Sequence, residues 1–218
     1  MEIFNKLDVE GYVFLERHCP ELSMKALIYN LETTHSLVAQ SDIVQLIPKN
    51  ISESTPNTYS GQYGYDDFPM HTDLAHWNKP PRYLMLRCLI GDAQVSTNIL
   101  DSEKIIEAVG RNLLERSLVK PRRPVNGRTS LMKILKSGNP NMLRWDQSFI
   151  VAASSTGEKG ISEVNKVLAQ IAPIEVVLEN TYDTVIIDNW RMLHSRTAVP
   201  FNSERKIERV YLGCANDS

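Results

Sequence analysis

The sequence predicts one mainly β domain, an antiparallel sandwich or barrel with helices packed on its outside. Three observations carry this expectation. The last third of the chain holds four short strand-forming runs, at 174–178, 184–188, 191–196 and 206–214, separated by turn residues such as Asp188-Asn189 and Pro200-Phe201-Asn202-Ser203. The middle holds an apolar run, 83–90, with the length and content of a strand covered on both faces. Stretches with helical apolar spacing flank these runs. With 218 residues, 42% of them hydrophobic and 23% charged, the chain is long enough to bury one core, so a single domain over 1–218 is expected.

Taken in order, 11–15 reads as a short buried strand, and after Pro20 the apolar residues Leu22, Ala26, Leu27 and Leu31 recur at helical spacing over 21–40. His18 and His35 lie far from any second ligand-type residue and read as surface or capping histidines. The stretch 51–68 is rich in Ser, Asn, Tyr and Gly, which fits either a loop or irregular strand whose side chains wall a pocket or a plain surface loop. Gly91-Asp92 ends the strand at 83–90. Beyond it, Thr97 either donates a buried hydroxyl to an anionic ligand or serves near a helix cap at Asp101-Ser102-Glu103. Ile105, Ile106, Val109, Leu113 and Leu114 line one face of a helix over 102–117. From 116 to 144 no acidic residue occurs, while Lys120, Arg122, Arg123, Arg128, Lys133 and Lys136 accumulate among Pro, Gly, Asn and Ser. This basic insertion, at about 117–144, reads either as a solvated surface segment or as a lid over a site that meets an anionic substrate or an acidic partner. A second amphipathic helix is expected over 160–171.

Several classes are excluded. A formal net charge of −2 gives no general reason to expect nucleic acid, and no apolar run approaches the roughly 18 residues of a membrane span. The opening residues lack the basic-then-apolar layout of a signal peptide. Cys19, Cys88 and Cys214 are odd in number and widely spaced, which suggests neither a disulfide framework nor a zinc ribbon. Buried reduced thiols and a cytoplasmic location are expected.

Chemistry concentrates at Met70-His71-Thr72-Asp73. In an extended segment side chains at i and i+2 share a face, so the His71 imidazole and the Asp73 carboxylate converge while Thr72 points away. A third ligand from a distant strand would complete the two-histidine, one-carboxylate facial triad that holds Fe(II) and leaves other positions open. His194 can supply it, because alternation aims Met192, His194 and Arg196 to one face. His76, followed by Trp77, reads as a pocket wall or hydrogen-bonding neighbour, since a further ligand there would occupy a position that substrate or oxygen needs. Arg205 and Arg209 are four apart, an even separation that puts both on one strand face. Surface pairing with Glu204 and Glu208 would suit them equally, were it not for His194 upstream.

Phe68-Pro69-Met70-His71-Thr72-Asp73, Arg144-Trp145-Asp146, and the run from Ile187 through His194 to Arg196, followed by Arg205 and Arg209, span most of the chain. In that order and spacing the chain resembles a short member of the Fe(II)- and 2-oxoglutarate-dependent dioxygenases of the taurine dioxygenase and clavaminate synthase type. The resemblance implies a double-stranded β-helix (jelly-roll) core with flanking helices, and iron ligated by His71, Asp73 and His194. It implies Arg205 on the distal carboxylate of 2-oxoglutarate with Thr97 as helper, and Arg209 on the substrate or the co-substrate; Tyr65, His76 and Trp77 are expected toward the substrate. It further implies O2 as oxidant, succinate and CO2 as co-products, and hydroxylation of a small anionic substrate such as an amino acid or derivative. Desaturation, epoxidation or cyclisation are the other outcomes of the same chemistry. Asp73 argues against halogenation, for which related enzymes lack the carboxylate. A substrate presented on an acidic carrier protein would fit the basic insertion.

Physical chemistry supports those roles independently. The far carboxylate of a chelated 2-oxoglutarate would sit in a partly buried pocket, where an unpaired charge is costly, and a planar guanidinium answers it with bidentate bonds of about 1.5–3 kcal/mol each. A non-catalytic metal- or anion-binding jelly-roll has no need of Arg205 beside the triad. A zinc hydrolase would need a general base near metal-bound water, and the sequence offers no convincing one.

Overall fold

A computed structural model of the chain describes residues 2–35 and 37–214; the side chains of Glu2, His35 and Cys214 lie outside the described part. Helix α1 (Glu2–Glu10) turns at Gly11, whose φ of +77° suits a residue without Cβ, into β1 (Tyr12–Leu15). Helix α2 (Met24–His35) stops short of the expected 40. The Thr33 and Thr34 hydroxyls donate back to carbonyls one turn earlier, and Leu37–Ala39 becomes β2 instead, so sheet pairing overrides helical periodicity. Strand β3 (Val44–Leu46) follows. The 51–68 stretch is a loop with helical turns set into it. It forms a 3-10 turn, Ile51–Glu53, capped by Asn50, and helix α3 (Tyr59–Tyr63), capped by Thr58, before β4 (Phe68–His71).

Next come β5 (Tyr83–Ile90) and β6 (Ser96–Asp101). The helix expected over 102–117 is two, α4 (Ser102–Val109) and α5 (Arg111–Arg116), broken where Gly110 takes φ +92°. The basic stretch contributes β7 (Leu118–Pro121), β8 (Met132–Lys133), β9 (Leu135–Lys136) and β10 (Met142–Leu143), then β11 (Ile150–Ala152) pairs back on β7. Helix α6 (Ser155–Leu168) begins earlier than expected because Ser154 caps it. The end of the chain runs through β12 (Ile174–Val177), β13 (Thr184–Asp188), β14 (Met192–Arg196) and β15 (Lys206–Cys214).

Two antiparallel sheets form a jelly roll. One has the order β1-β13-β5-β15-β2, with β3 also on β15; the other is β12-β6-β14-β4. Leu84, Leu86, Ile99, Val176, Ile187 and Ile207 fill the space between them. Helices α1 and α2 cover the outside of the first sheet, where Leu7, Leu27, Met85, Val210 and Leu212 cluster. Leu100 and Leu193 of the second sheet pack against α4, α5, α6 and the basic stretch, through Ile105, Leu114, Met132, Ile134, Leu143 and Trp145. Met132, Ile134, Leu135, Met142 and Leu143 of this stretch are core, while 122–131, turning at Asn126 and Gly127, and 136–140 are largely exposed. Two smaller expectations fail. His18 is half-buried against Cys19 rather than a surface or capping residue, and of the cysteines Cys88 is buried but Cys19 only partly so.

Candidate active site

Strands β4 and β14 are hydrogen-bonded neighbours in which His71 lies directly opposite His194, and their imidazole centroids are 4.5 Å apart. Asp73 follows β4, and its backbone is clamped by Asn189 from the β13–β14 turn. The Asp73 N–H donates to Asn189 Oδ1 (2.7 Å), while Asn189 Nδ2 donates to the carbonyls of Asp73 (3.0 Å) and Pro81 (2.9 Å). Thr72 points away and locks onto Trp145, its N–H donating to the Trp145 carbonyl (2.7 Å) and its hydroxyl accepting from the Trp145 N–H (3.1 Å). Asp73 Oδ1 consequently stands 3.2 Å from His71 Nε2 and 3.7 Å from His194 Nε2.

The donor set fits a metal ion. Candidate ligand atoms of His71, Asp73 and His194 all lie within 4.8 Å of one another, and all three residues are buried. The Pro69 carbonyl lies 2.9 Å from His71 Nδ1 and accepts its N–H, which leaves Nε2, on the side of Asp73, as the ligand atom once its proton is displaced. Both ring nitrogens of His194 are buried without a hydrogen-bond partner, and a cation between the three side chains would satisfy Nε2, the one on the side of Asp73. Charge is balanced within the cluster. Burial alone would raise Asp73, but His194 and His71 hold it well below the ordinary carboxylate value. Burial would lower His71, yet its hydrogen bond to Asp73 leaves it raised, whereas burial and the neighbouring His71 charge lower His194.

A second layer braces this cluster. The Tyr211 hydroxyl donates to Asp73 Oδ2 at 2.8 Å, and Arg209 Nη1 lies 3.9 Å from the same oxygen. Tyr59 stacks its ring on His71, centroids 4.3 Å apart, and donates its hydroxyl to buried Asp146. The other Asp146 oxygen accepts from the Ser148 and Phe149 N–H groups, so its raised pKa, due first to burial, is moderated by these bonds. Arg144 is buried, donates to the carbonyls of Ala75, Trp77 and Asn78, and pins the chain just beyond the cluster.

The cluster opens into a cavity of about 1280 Å³. Its cations are Lys49, Arg122, Arg123, Arg196, Arg205 and Arg209, against the two acids Glu53 and Asp73. Arg205 is buried, its Nε has no partner, and burial lowers its pKa. Arg196 lies over the Phe68 ring and its Nε is likewise unpartnered; burial, then the Arg205 charge, lower its pKa to about 10. The rings of Tyr59, Tyr63, Phe68 and Phe149 also line the cavity, packed edge to face and tilted at 5.2–5.8 Å. The Tyr59 and Tyr63 hydroxyls are engaged by Asp146 and Ser148, which leaves ring surface toward the cavity.

Of the residues singled out in the sequence, His71, Asp73 and His194 are brought together, and Asp73, His76, Trp77, Arg205 and Arg209 line one cavity. His76 packs on Phe149 and stands outside the ligand cluster. Tyr65 does not reach the cavity: its ring rests on Phe201 and its carbonyl accepts from Val199. Thr97 is buried opposite Arg196 on β6, on the same face as Ile99, and is not part of the cavity wall. Sequence reasoning missed Asn189, Tyr211, Tyr59 and Asp146. The inward alternation of 205, 207, 209 and 211 on β15 was a usable signal for Tyr211, and the Asn50-to-Glu53 capping box was one for the structured 51–68 stretch.

No protein-family model matches the chain, and no curated protein matches it by sequence. Solved structures do. An asparagine oxygenase in complex with Fe(II), 2S,3S-3-hydroxyasparagine and succinate matches at a TM-score of 0.63 and 16% identity, over 79% of this chain and 56% of that one. The non-haem iron oxygenase OrfP in complex with Fe and α-ketoglutaric acid matches at 0.61 and 20%, over 80% and 57%. PvcB of Pseudomonas aeruginosa matches at 0.70 and 14%, over 99% and 82%. The chain therefore spans little more than half the length of the two oxygenases. At these identities the similarity establishes the fold, the double-stranded β-helix expected from the sequence.

Proposed function

We propose that the chain is a mononuclear non-haem Fe(II)- and 2-oxoglutarate-dependent oxygenase that oxidises an unactivated C–H bond of a small anionic substrate. The observation that carries this reading is the His71–Asp73–His194 cluster, opening through Asp73 into a cavity that also holds Arg205, buried and with an unpartnered Nε. A metal-binding protein without turnover would have no use for the second feature. The solved structures of similar fold that hold iron and α-ketoglutaric acid support the same reading.

His71, Asp73 and His194 would hold ferrous iron, which with bound 2-oxoglutarate and O2 supplies C–H oxidation, with succinate and CO2 as co-products. The residues of the chain bind and orient. Arg205 takes the distal carboxylate, for which a planar fork suits better than a point charge. Arg196, two residues past His194 on the same face, adds positive charge beside Arg205. Arg209 faces the cavity next to Asp73 and meets an anionic group of the substrate or the near end of 2-oxoglutarate. The aromatic wall of Tyr59, Phe68 and Phe149 excludes water and holds the apolar part of the substrate. An amino acid or derivative with an apolar body satisfies both walls. The cation excess disfavours the guanidinium side chain of the arginine product bound to OrfP. Within the basic stretch, the turn at 122–131 is the part placed to cover the cavity or to meet an acidic carrier, as Arg122 and Arg123 line it. No described helix is long and apolar enough to cross a membrane. Free Cys19 and Cys88 suit a reducing cytoplasm.

Succinate formation from 2-oxoglutarate under air and Fe(II), with a panel of amino acids and N-acyl amino acids, tests the proposal. Stimulated succinate release by an anionic member, lost in His194→Ala, is expected. Release that is equal in His194→Ala and the parent protein would refute it.

A further inference from the structure

The two oxygens of the Asp73 carboxylate are treated differently. Oδ1 faces both imidazoles, 3.2 Å from His71 Nε2 and 3.7 Å from His194 Nε2. Oδ2 is turned toward β15, where it accepts the Tyr211 hydroxyl at 2.8 Å and lies 3.9 Å from Arg209 Nη1. Tyr211 has little freedom to do otherwise. It is buried on the inward face of β15, its neighbours Val210 and Leu212 face the helices, and the Arg209 guanidinium covers its ring at 4.8 Å from the centroid.

A carboxylate with one free oxygen beside a metal can rotate and chelate it through both. For a site that must also accept a bidentate ligand and a third reactant, a chelating carboxylate occupies a position that the other ligands need. A neutral phenol donor on the outer oxygen opposes that rotation, because chelation would break a buried hydrogen bond and leave the hydroxyl unpaired. Phenylalanine would pack in the same place without that hold.

We propose that Tyr211 is a positioning residue that keeps Asp73 a one-oxygen ligand, so that the remaining positions stay free for 2-oxoglutarate. This rests on the oxygenase reading above. It predicts a split that general loosening of the site would not produce: loss of the phenol should spare metal binding and weaken the co-substrate.

The test uses Tyr211→Phe, which retains the ring, checked for folding by circular dichroism and thermal melting. Co(II) is titrated by visible absorption, 2-oxoglutarate is then titrated calorimetrically into the Co(II)-loaded protein, and the carboxylate stretches are read by infrared difference spectroscopy. The expected result is Co(II) affinity within about twofold of the parent, 2-oxoglutarate affinity lower by about tenfold, and a narrower separation of the two Asp73 stretches, as chelation gives. Equal weakening of Co(II) and 2-oxoglutarate, or no change in either, would overturn the inference. If the parent protein binds Co(II) but takes up no 2-oxoglutarate, the oxygenase reading itself fails and the inference falls with it. A parent that binds both while Tyr211→Phe shows an unchanged stretch separation refutes the positioning role alone.

Discussion

The two ends of the cavity are built on opposite terms. At the metal end, His71, Asp73 and His194 face one another, Pro69 fixes one imidazole, Asn189 clamps the Asp73 backbone, and Tyr211 holds the outer oxygen. At the cation end, Arg205 is buried and Arg196 half-buried, each with an unpartnered Nε, and burial and then the Arg205 charge lower the Arg196 pKa. One end is organised before anything binds; the other is completed only by an anion. Substitutions of the three ligand residues should therefore abolish binding and chemistry outright. Those at the cation end should leave the chemistry and shift its concentration dependence.

The largest effect is expected for Asp73→Ala. Removing the carboxylate takes away the only negative charge among the three ligands, so both metal uptake and succinate formation should fall below detection, read by bound iron and by succinate assay. Retained stoichiometric iron would erase the distinction between the two ends. Arg205→Ala should leave iron stoichiometry intact and raise the 2-oxoglutarate requirement by roughly 10- to 150-fold, the equivalent of about 1.5–3 kcal/mol for a charged hydrogen bond. Arg205→Lys should recover part of that loss. A fall in kcat with unchanged KM would move Arg205 from co-substrate binding to the chemistry.

Asn189→Ala probes the backbone support of the metal end. It leaves the Asp73 N–H and two buried carbonyls without their partner, so thermal stability should drop by about 2–4 °C for each kcal/mol lost and Co(II) affinity by about tenfold. A melt shift with unchanged Co(II) affinity would reduce the clamp to a fold element.

The smallest effect concerns pH. Asp73 is held below its ordinary value, so its contribution to metal-free stability is present above the unfolded carboxylate pKa and fades as pH falls through the folded value. His71 is held above its ordinary 6.5, so its contribution is present below that value and fades as pH rises through the raised one. The pair thus stabilises the metal-free protein between those two limits. Metal affinity runs the other way on the His71 side: a cation must displace that proton, so Co(II) binding should strengthen as pH rises above 6.5, with proton release visible in buffers of different ionisation enthalpy. Flat affinity across that range would place the proton elsewhere.

The metal end was largely legible in the sequence because its geometry is local: His71 and Asp73 share a strand face by period two, and alternation in 192–196 aims His194. Arg205 and Arg209 were legible for the same reason, four residues apart on a strand face. What supports them was not legible. Asn189 reads as a turn residue until the β13–β14 turn is folded against the segment after β4, and the Tyr59–Asp146 bond joins residues 87 apart in sequence. Tyr65 and Thr97, singled out in the same way, are not among the residues that line the cavity. Gly110 broke a continuous apolar stripe into two helices, and the Leu37–Ala39 pairing cut α2 short, because tertiary contacts outweigh propensity at element ends.

The most direct test of the central claim is anaerobic titration of the metal-free protein with Fe(II) and 2-oxoglutarate, followed in the visible. The account predicts a weak charge-transfer band that requires both additions, is absent in His194→Ala, and appears only at higher 2-oxoglutarate in Arg205→Ala. Iron uptake without the band, at any 2-oxoglutarate concentration, would contradict it and leave a metal-binding jelly roll.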